Sequence, residues 1–349
     1  MPKILAVTSG VNTPSSRFRI RQHILGLASA GLYIRESVPI IEKNKSVPFL
    51  EKYSPKYYLP IYFIWVMIKA IQRIPCILRS FKYNYVWLNR ELVTGFYTLE
   101  ILFGRKIVLD VDDAIWKNPP FGHYAAKKIA QKSSLIICGN EYLADWFKQY
   151  NRNVVVIPTA VDTEQLKPKS SSFISSNSNI VRLGWIGTHG NLKYLEDISS
   201  ALLFVLNNNS NVELIIVSDR PPLSLVHERI KFVKWSEDRE VENFQSIDIG
   251  LMPLADDEWT KGKCSFKLLQ HMSCGSLVVG SYVGMNKTIL KKDNGAYPAL
   301  DHSDWIKTLQ YLITNIDSLT LEKQKARQYI VENYSLQVIQ KKLLKEFSK

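Results

Sequence analysis

The chain is short of cysteine, histidine and acid, and each shortage excludes something. Its four cysteines, Cys76, Cys138, Cys264 and Cys274, form neither a dense framework nor a close pair. That excludes a disulfide scaffold and fits reduced thiols in a cytosolic setting. The six histidines, at 23, 123, 189, 227, 271 and 302, show no ligand spacing, so no metal site is predicted. The apolar run YYLPIYFIWVMI before Lys69 is shorter than the ~20 residues needed to cross a bilayer. The opening MPKILAVTSG holds too short an apolar segment for a secretory signal and reads as a first β-strand. With 46% hydrophobic and 22% charged residues, 349 residues suffice for two domains with sizeable cores.

Acid is outnumbered, with 32 Asp and Glu against 45 Lys and Arg, a formal net charge of +13. The surplus attracts anions: nucleic acid, an anionic membrane surface or phosphorylated substrates. In residues 43–106, eleven Lys or Arg stand against three Glu, an excess of eight. Aromatics interleave with these bases in YYLPIYFIWVMIKAIQRIPCIL. An amphipathic segment lying on a membrane would have this mixture, with Lys69, Arg73 and Arg79 supplying charge. A helix packed on the protein core fits the same residues.

The first half alternates KILAVTS, YNYVWLN, KIVLDV, LIICGN and NVVVIPT, all strand-like, with helix-like segments. These include RFRIRQHILGLASAG, AAKKIAQKS and EYLADWFKQY, and helical periodicity also fills the span between YNYVWLN and KIVLDV. Such alternation predicts a mainly parallel sheet covered by helices. KSSSFISSNSNI then reads as a connection. A second cycle follows: VRLGWIG, a helix from Leu192 through Val205 capped by Asn191, VELIIVS, KFVKWS, IDIGLMPL and SLVVGS. The expected organisation is an N-terminal domain over 1–168, a linker over 169–180, a C-terminal domain over 181–325 and helices over 326–349 that could return to the N-terminal domain.

Two segments place cations where helix electrostatics disfavours them. In GKCSFKLLQHMSCG, Ser265 is read as a helix cap, which puts Lys267 in the first turn and Lys261 and Lys263 just before it. A helix N-terminus carries positive partial charge and attracts anions, so a diphosphate would make the arrangement favourable. In GTHGNLK, Gly187 and Gly190 permit close backbone approach, Thr188 offers a hydroxyl and Lys193 a charge. Ordinary caps with solvated lysines remain the alternative for either segment alone. GVNTPSSRFRIRQ repeats the pattern, with Arg17 the leading phosphate contact ahead of Arg19 and Arg21. LDVDDAIW brings Asp112 and Asp113 to a strand end, as site carboxylates or as a turn and helix cap.

IPTAVDTEQLKP, LGWIGTHGNLKYL and IDIGLMPLADDEWTKGKCSFKLLQHMSCGSLVVGSYVG together resemble retaining nucleotide-sugar glycosyltransferases of family 4, in a subgroup with an Arg-rich opening loop and an Asp-Asp-Ala motif. The resemblance implies an α/β, GT-B fold: two Rossmann-like domains facing a central cleft. It implies a nucleotide-sugar-binding C-terminal domain that holds most of a nucleoside-diphosphate sugar, no required cofactor, and an acceptor-binding N-terminal domain. Lys193 and Lys267 would hold the diphosphate, helped by Gly187, Thr188, His189, Lys263, Ser265 and Phe266. Gln270 matches a ribose-binding glutamate position, Gly262 a sugar-binding one, and Asp256 or Asp257 would replace part of the lost contact. Hexosyl transfer to a lipid-linked glycan in cell-envelope polysaccharide or lipopolysaccharide assembly is the expected activity, in the cytoplasm or peripherally on the inner membrane. A nucleic-acid-binding protein and an inactive sugar-nucleotide-binding homologue are the rival readings.

Overall fold

The computed structural model describes residues 2–50, 52, 54–169 and 180–348, so the expected linker lies outside the described residues but for its two ends. The apolar runs form two separate six-stranded sheets with every paired strand parallel. One unit comprises Met1–Ala160, Gly262–Cys264 and Leu336–Lys349; the other comprises Val161–Lys261 and Ser265–Ser335. These units divide the chain at 160/161 and 335/336, with the short piece Gly262–Cys264 belonging to the first.

In the first unit the strands are β1 (Lys3–Val7), β2 (Tyr33–Ser37), β3 (Tyr85–Asn89), β4 (Lys106–Val111), β5 (Leu135–Cys138) and β6 (Val154–Val156), in the order β2-β1-β3-β4-β5-β6. Ile4, Leu5, Ile107 and Leu109 are wholly buried, as expected for parallel strands covered on both faces. A π-helical turn, Ser16–Arg21, leads into α1 (Gln22–Ser29). Gly31, at φ +97°, ends that helix.

α2 (Leu59–Ile71) and α3 (Ile74–Ser80) follow. The expectation of a run cut short at Lys69 is corrected here. Leu59–Ser80 spans 22 residues and is long and apolar enough to cross a membrane by length and composition. Lys69 and Arg73 do not interrupt its apolar surface because both point inward, 8% and 3% exposed. Lys69 Nζ donates to the Lys43 and Lys45 carbonyls at 2.7 and 2.6 Å, and Arg73 Nη1 donates to Thr8 O at 3.0 Å.

The helix expected between β3 and β4 is also replaced, by a loop with one short turn at Glu100–Leu102. Arg90 and Gly95 adopt positive φ, and a Cβ on Gly95 would meet Pro119 O at 2.1 Å. The buried Glu100 carboxylate accepts N–H bonds from Leu92 and Thr98, tying the loop to itself. α4 (Gly122–Lys132) and α5 (Glu141–Lys148) complete this stretch, the latter capped by Asn140, which accepts from Leu143 N at 2.9 Å.

The second unit holds β7 (Val181–Ile186), β8 (Val212–Ser218), β9 (Ile230–Lys234), β10 (Ile249–Met252), β11 (Leu277–Ser281) and β12 (Ala296–Ala299), in the order β12-β11-β10-β7-β8-β9. The order reverses between β7 and β10, which makes their carboxyl ends a switch point of the kind where open α/β sheets bind ligands. The single helix expected from Leu192 is broken into α6 (Leu192–Glu196) and α7 (Ser199–Asn208), and Asn191 makes no capping bond. α8 (Glu240–Gln245), α9 (Glu258–Lys261), α10 (Phe266–Ser273), α11 (Asn286–Ile289), α12 (His302–Thr314) and α13 (Thr320–Tyr334) follow. The last helix, α14 (Leu336–Phe347), belongs to the first unit, where Ile339, Leu343 and Phe347 join the core with Ile20, Leu27 and Trp87.

His271 on α10 is fully buried, and neither ring nitrogen has a hydrogen-bond partner among the described residues. It packs edge-on to Phe244, with ring centroids 4.8 Å apart, and needs Gly250 bare: a Cβ there would meet its ring at 2.4 Å. Burial, with a smaller effect from Lys267, drives its pKa down to about 3. The unfolded chain therefore takes up a proton on this side chain before the folded chain does. Stability is full above about pH 6.5 and falls as pH drops toward 3, by about 2 kcal/mol at pH 5 for this one group. His23, also pushed down to about 3 by burial and by Arg19, adds a similar slope. Urea unfolding of His271→Leu between pH 7 and 5 is expected to show about half the fall of the parent; an unchanged slope would contradict the assignment.

Candidate functional site

At the end of β4 the first unit assembles a carboxylate–guanidinium cluster. Arg90 reaches both predicted aspartates, Nε to Asp112 Oδ1 at 2.6 Å and Nη2 to Asp113 Oδ2 at 2.7 Å. The three side chains are 15–22% exposed, so the cluster is reachable from solvent. Arg90 adopts φ +60°, costly for a residue with a Cβ, and is held there partly by its N–H on Asp110 O at 2.9 Å. The sequence reading missed it. The clue was register: β3 pairs Asn89 with Asp110, which puts Arg90 level with Val111, one residue before the Asp pair.

The two carboxyls are driven apart. Burial opposes ionisation of Asp112, but the Arg90 and Arg19 guanidiniums outweigh it and hold Asp112 below the usual carboxylate range. Burial, helped by the Asp112 charge, pushes Asp113 above that range against the pull of Arg90 and Lys263. Neighbouring acids with opposed shifts are suited to different roles, one a fixed charge and one a proton acceptor. Cys264 caps the cluster, its Sγ 3.3 Å from Asp112 O, while Asn140 Nδ2 donates to the Gly262 and Lys263 carbonyls at 3.1 and 3.0 Å.

The three arginines of the opening loop divide. Arg19 is a correction: it is 3% exposed, its Nε pairs with Asp110 Oδ1 at 2.7 Å and its Nη1 donates to Ile157 O at 2.9 Å. A guanidinium so enclosed cannot contact a phosphate. Arg21 pairs with Glu36 at 2.7 Å and donates to the Gly10 and Val11 carbonyls, holding the loop closed on itself. Arg17, partly exposed, lies over the Phe18 ring at 4.7 Å. The same unit contains a cavity of about 260 Å³ whose lining includes Lys43, Lys45, Tyr58, Tyr62, Trp65 and Lys69.

In the second unit the loop after β7 exposes Thr188, His189 and Gly190. Gly187 is required by its own neighbour, since a Cβ would meet the Trp185 ring at 2.6 Å. Gly190 differs: nothing lies within 4 Å of its would-be Cβ, so the backbone is bare there. Asp219, at the end of β8, accepts from His189 N at 2.7 Å and meets His189 Nδ1 at 2.5 Å. Slight burial is outweighed by these His189 contacts, which hold the Asp219 carboxyl below its usual range. Asp219 was missed too, although an aspartate directly after the strand VELIIVS was a readable signal.

Lys193 is exposed and lies over the Tyr194 ring at 4.9 Å. Its charge helps lower the Asp257 carboxyl, which is mostly held down by hydrogen bonds from Thr260 despite slight burial. Asp256 pairs with Lys261 at 2.9 Å. On α10, Ser265 does not cap: at φ +51° its hydroxyl donates instead to Asn286 Oδ1 at 2.6 Å. Lys267 donates to Gln270 Oε1 at 3.0 Å, lies over the Phe244 ring at 5.1 Å, and has the Glu240 carboxylate 3.9 Å away. Glu240 is thus a resident counter-ion for the lysine at the helix start. Gln270 is 1% exposed, which ties its amide to Lys267. Phe266 is half-buried beside them. Among the described residues no group of three His, Cys, Asp or Glu is placed to hold a metal ion.

Residues 179–315 match the family model for glycosyl transferases group 1. No curated protein matches the sequence. Among solved structures, Anabaena HepE in complex with UDP-glucose is similar at TM-score 0.72 and 14% identity, covering all of both chains. Sucrose-phosphate synthase from Thermosynechococcus elongatus is similar at TM-score 0.71 and 12% identity, over 100% of this chain and 98% of that one. The catalytic domain of Arabidopsis thaliana starch synthase IV, bound to ADP and acarbose, reaches TM-score 0.72 at 8% identity, over 100% and 99%. Likeness at such identities is likeness of fold, and the fold of this chain is GT-B.

Removing the guanidinium tests the carboxylate cluster. Arg90→Gln should cost about 2 kcal/mol of stability at neutral pH by leaving the two carboxylates uncompensated, discounted for their partial exposure. Carbon-detected NMR should find Asp112 titrating higher than in the parent; an Asp112 titration that does not move would show that Arg90 is not its partner.

Proposed function

We propose that the chain is a nucleotide-sugar-dependent glycosyltransferase that retains anomeric configuration. The observation that carries this is the cationic edge at the β7/β10 switch point: Lys193 exposed beside the bare backbone of 188–190, and Lys267 in the first turn of α10. Both lie within the span that matches the group 1 family model. HepE and starch synthase IV, which share the fold, were solved with UDP-glucose and with ADP respectively, which supports a nucleoside-diphosphate sugar as donor here.

In this reading the diphosphate lies against the amides of 188–190 with Lys193 and Lys267 balancing its charge, and His189 and Thr188 are secondary contacts. The sugar–phosphate bond weakens first. As positive charge develops on the sugar, the lysines and amides stabilise the departing diphosphate, whose oxygen accepts the acceptor's proton while the new bond forms on the same face. Asp112 acts as the fixed charge and Asp113 orients the acceptor hydroxyl. The 260 Å³ cavity, with aromatic walls and lysine donors, supports a saccharide as acceptor. A hexose donor and a lipid-linked glycan of cell-envelope polysaccharide are the specific substrates proposed, with the enzyme peripheral on the cytoplasmic face of the membrane.

A thermal-shift and turnover screen across nucleoside-diphosphate sugars tests the reading. One donor should stabilise the protein and be turned over. Lys193→Ala, at an exposed position, should lose about 100-fold in kcat/KM without loss of fold, at low and high salt alike. Tight nucleic-acid binding with no stabilisation by any nucleoside diphosphate would reverse the conclusion.

A further inference from the structure

We propose that the outward face of α2 and α3 is a docking surface for an anionic lipid bilayer, on which both helices lie in the plane of the membrane. This deepens the peripheral location named above, and it rests on the first unit alone.

The two helices are two-faced in an unusual sense. Val66, Lys69, Ala70, Cys76 and Ile77 are buried, so one stripe packs inward. The opposite face is not polar. Ile61, Ile64, Met67, Ile68, Ile71 and Leu78 are 41–66% exposed, where an ordinary surface helix would present charge. Around this face stand exposed cations: Lys45, whose carbonyl accepts from Trp65 Nε1 on α2, Lys56 just before α2, Arg79 and Lys82 at the end of α3, and Arg105, which donates to Phe81 O. The described carboxylates of residues 43–106, Glu91 and Glu100, are 2% and 0% exposed. Hydrocarbon bordered by these exposed cations, with both described carboxylates of that stretch buried, is complementary to acyl chains under anionic headgroups. Two copies of the same face would bring like charges together.

The buried side decides between lying on the bilayer and crossing it. Lys69 Nζ holds the Lys43 and Lys45 carbonyls, Gln72 exchanges two hydrogen bonds with the Ile41 backbone at 2.8 and 3.0 Å, and Arg73 holds Thr8 O. A crossing helix would have to break all of these and carry the ammonium, amide and guanidinium into hydrocarbon. With them intact, only the outer face can enter the interface.

The test is sedimentation of the full chain with vesicles of phosphatidylcholine alone or mixed in equal parts with phosphatidylglycerol. The parent should bind the mixed vesicles and be released by alkaline carbonate. Binding should fall roughly tenfold or more in Ile64→Glu/Met67→Glu, two exposed positions, and in Lys56→Gln/Arg79→Gln/Lys82→Gln. Failure of the parent to bind, undiminished binding of either variant, or resistance to carbonate would each overturn the proposal. So would a parent dimer that the glutamate variant splits, since the face would then belong to a second copy. Stabilisation by nucleoside diphosphate, measured on the same samples, keeps this question separate: its loss in every form would sink the donor reading, while vesicle binding alone decides the docking surface.

Discussion

A parallel sheet buried on both faces leaves chemistry one convenient outlet, the loops at the carboxyl ends of its strands. Both units of this chain obey that constraint. In the first, the Asp112–Asp113–Arg90 cluster forms where β3 and β4 end. In the second, the exposed 188–190 backbone, Lys193 and the start of α10 follow β7 and β10, the pair at which strand order reverses. The sheets do little chemistry themselves, but they fix which side chains meet at those ends.

Four of the described cations are spent inside the protein. Arg19 neutralises Asp110, Lys43 pairs with Glu91 at 3.0 Å, and Lys69 and Arg73 bind backbone carbonyls. These buried contacts fix loop geometry and are poor guides to ligand binding. What distinguishes the second unit is the exposure of Lys193 and the bare backbone near it. Lys267 is an intermediate case, since Glu240 already shares its charge. A bound diphosphate would have to compete with that carboxylate or sit beside it.

The parts of the fold with strong periodicity were legible in the sequence. KIVLDV, LIICGN and VELIIVS are continuous apolar runs because both faces of their strands are covered, and they form β4, β5 and β8. β2 was not legible: YIRES alternates weakly and is half exposed at the sheet edge. The span between β3 and β4 misled because Leu, Phe and Ile recur at helical spacing there, while Arg90 and Gly95 at positive φ break any helix. At the site, residue type was readable and partnership was not. Asp112, Asp113, Lys193 and Lys267 stood out by position, but Arg90, Asp219 and Glu240 matter through contacts that depend on register and on the packing of distant segments.

The proposed transfer requires a nucleoside diphosphate to bind at the carboxyl edge of β7 and β10. Hydrogen exchange of the full chain, with and without UDP or ADP, addresses that directly. Protection should rise in 187–193 and 265–270 with the nucleotide that binds. Nucleotide-dependent protection confined to other segments, or none with either nucleotide at saturating concentration, would contradict it.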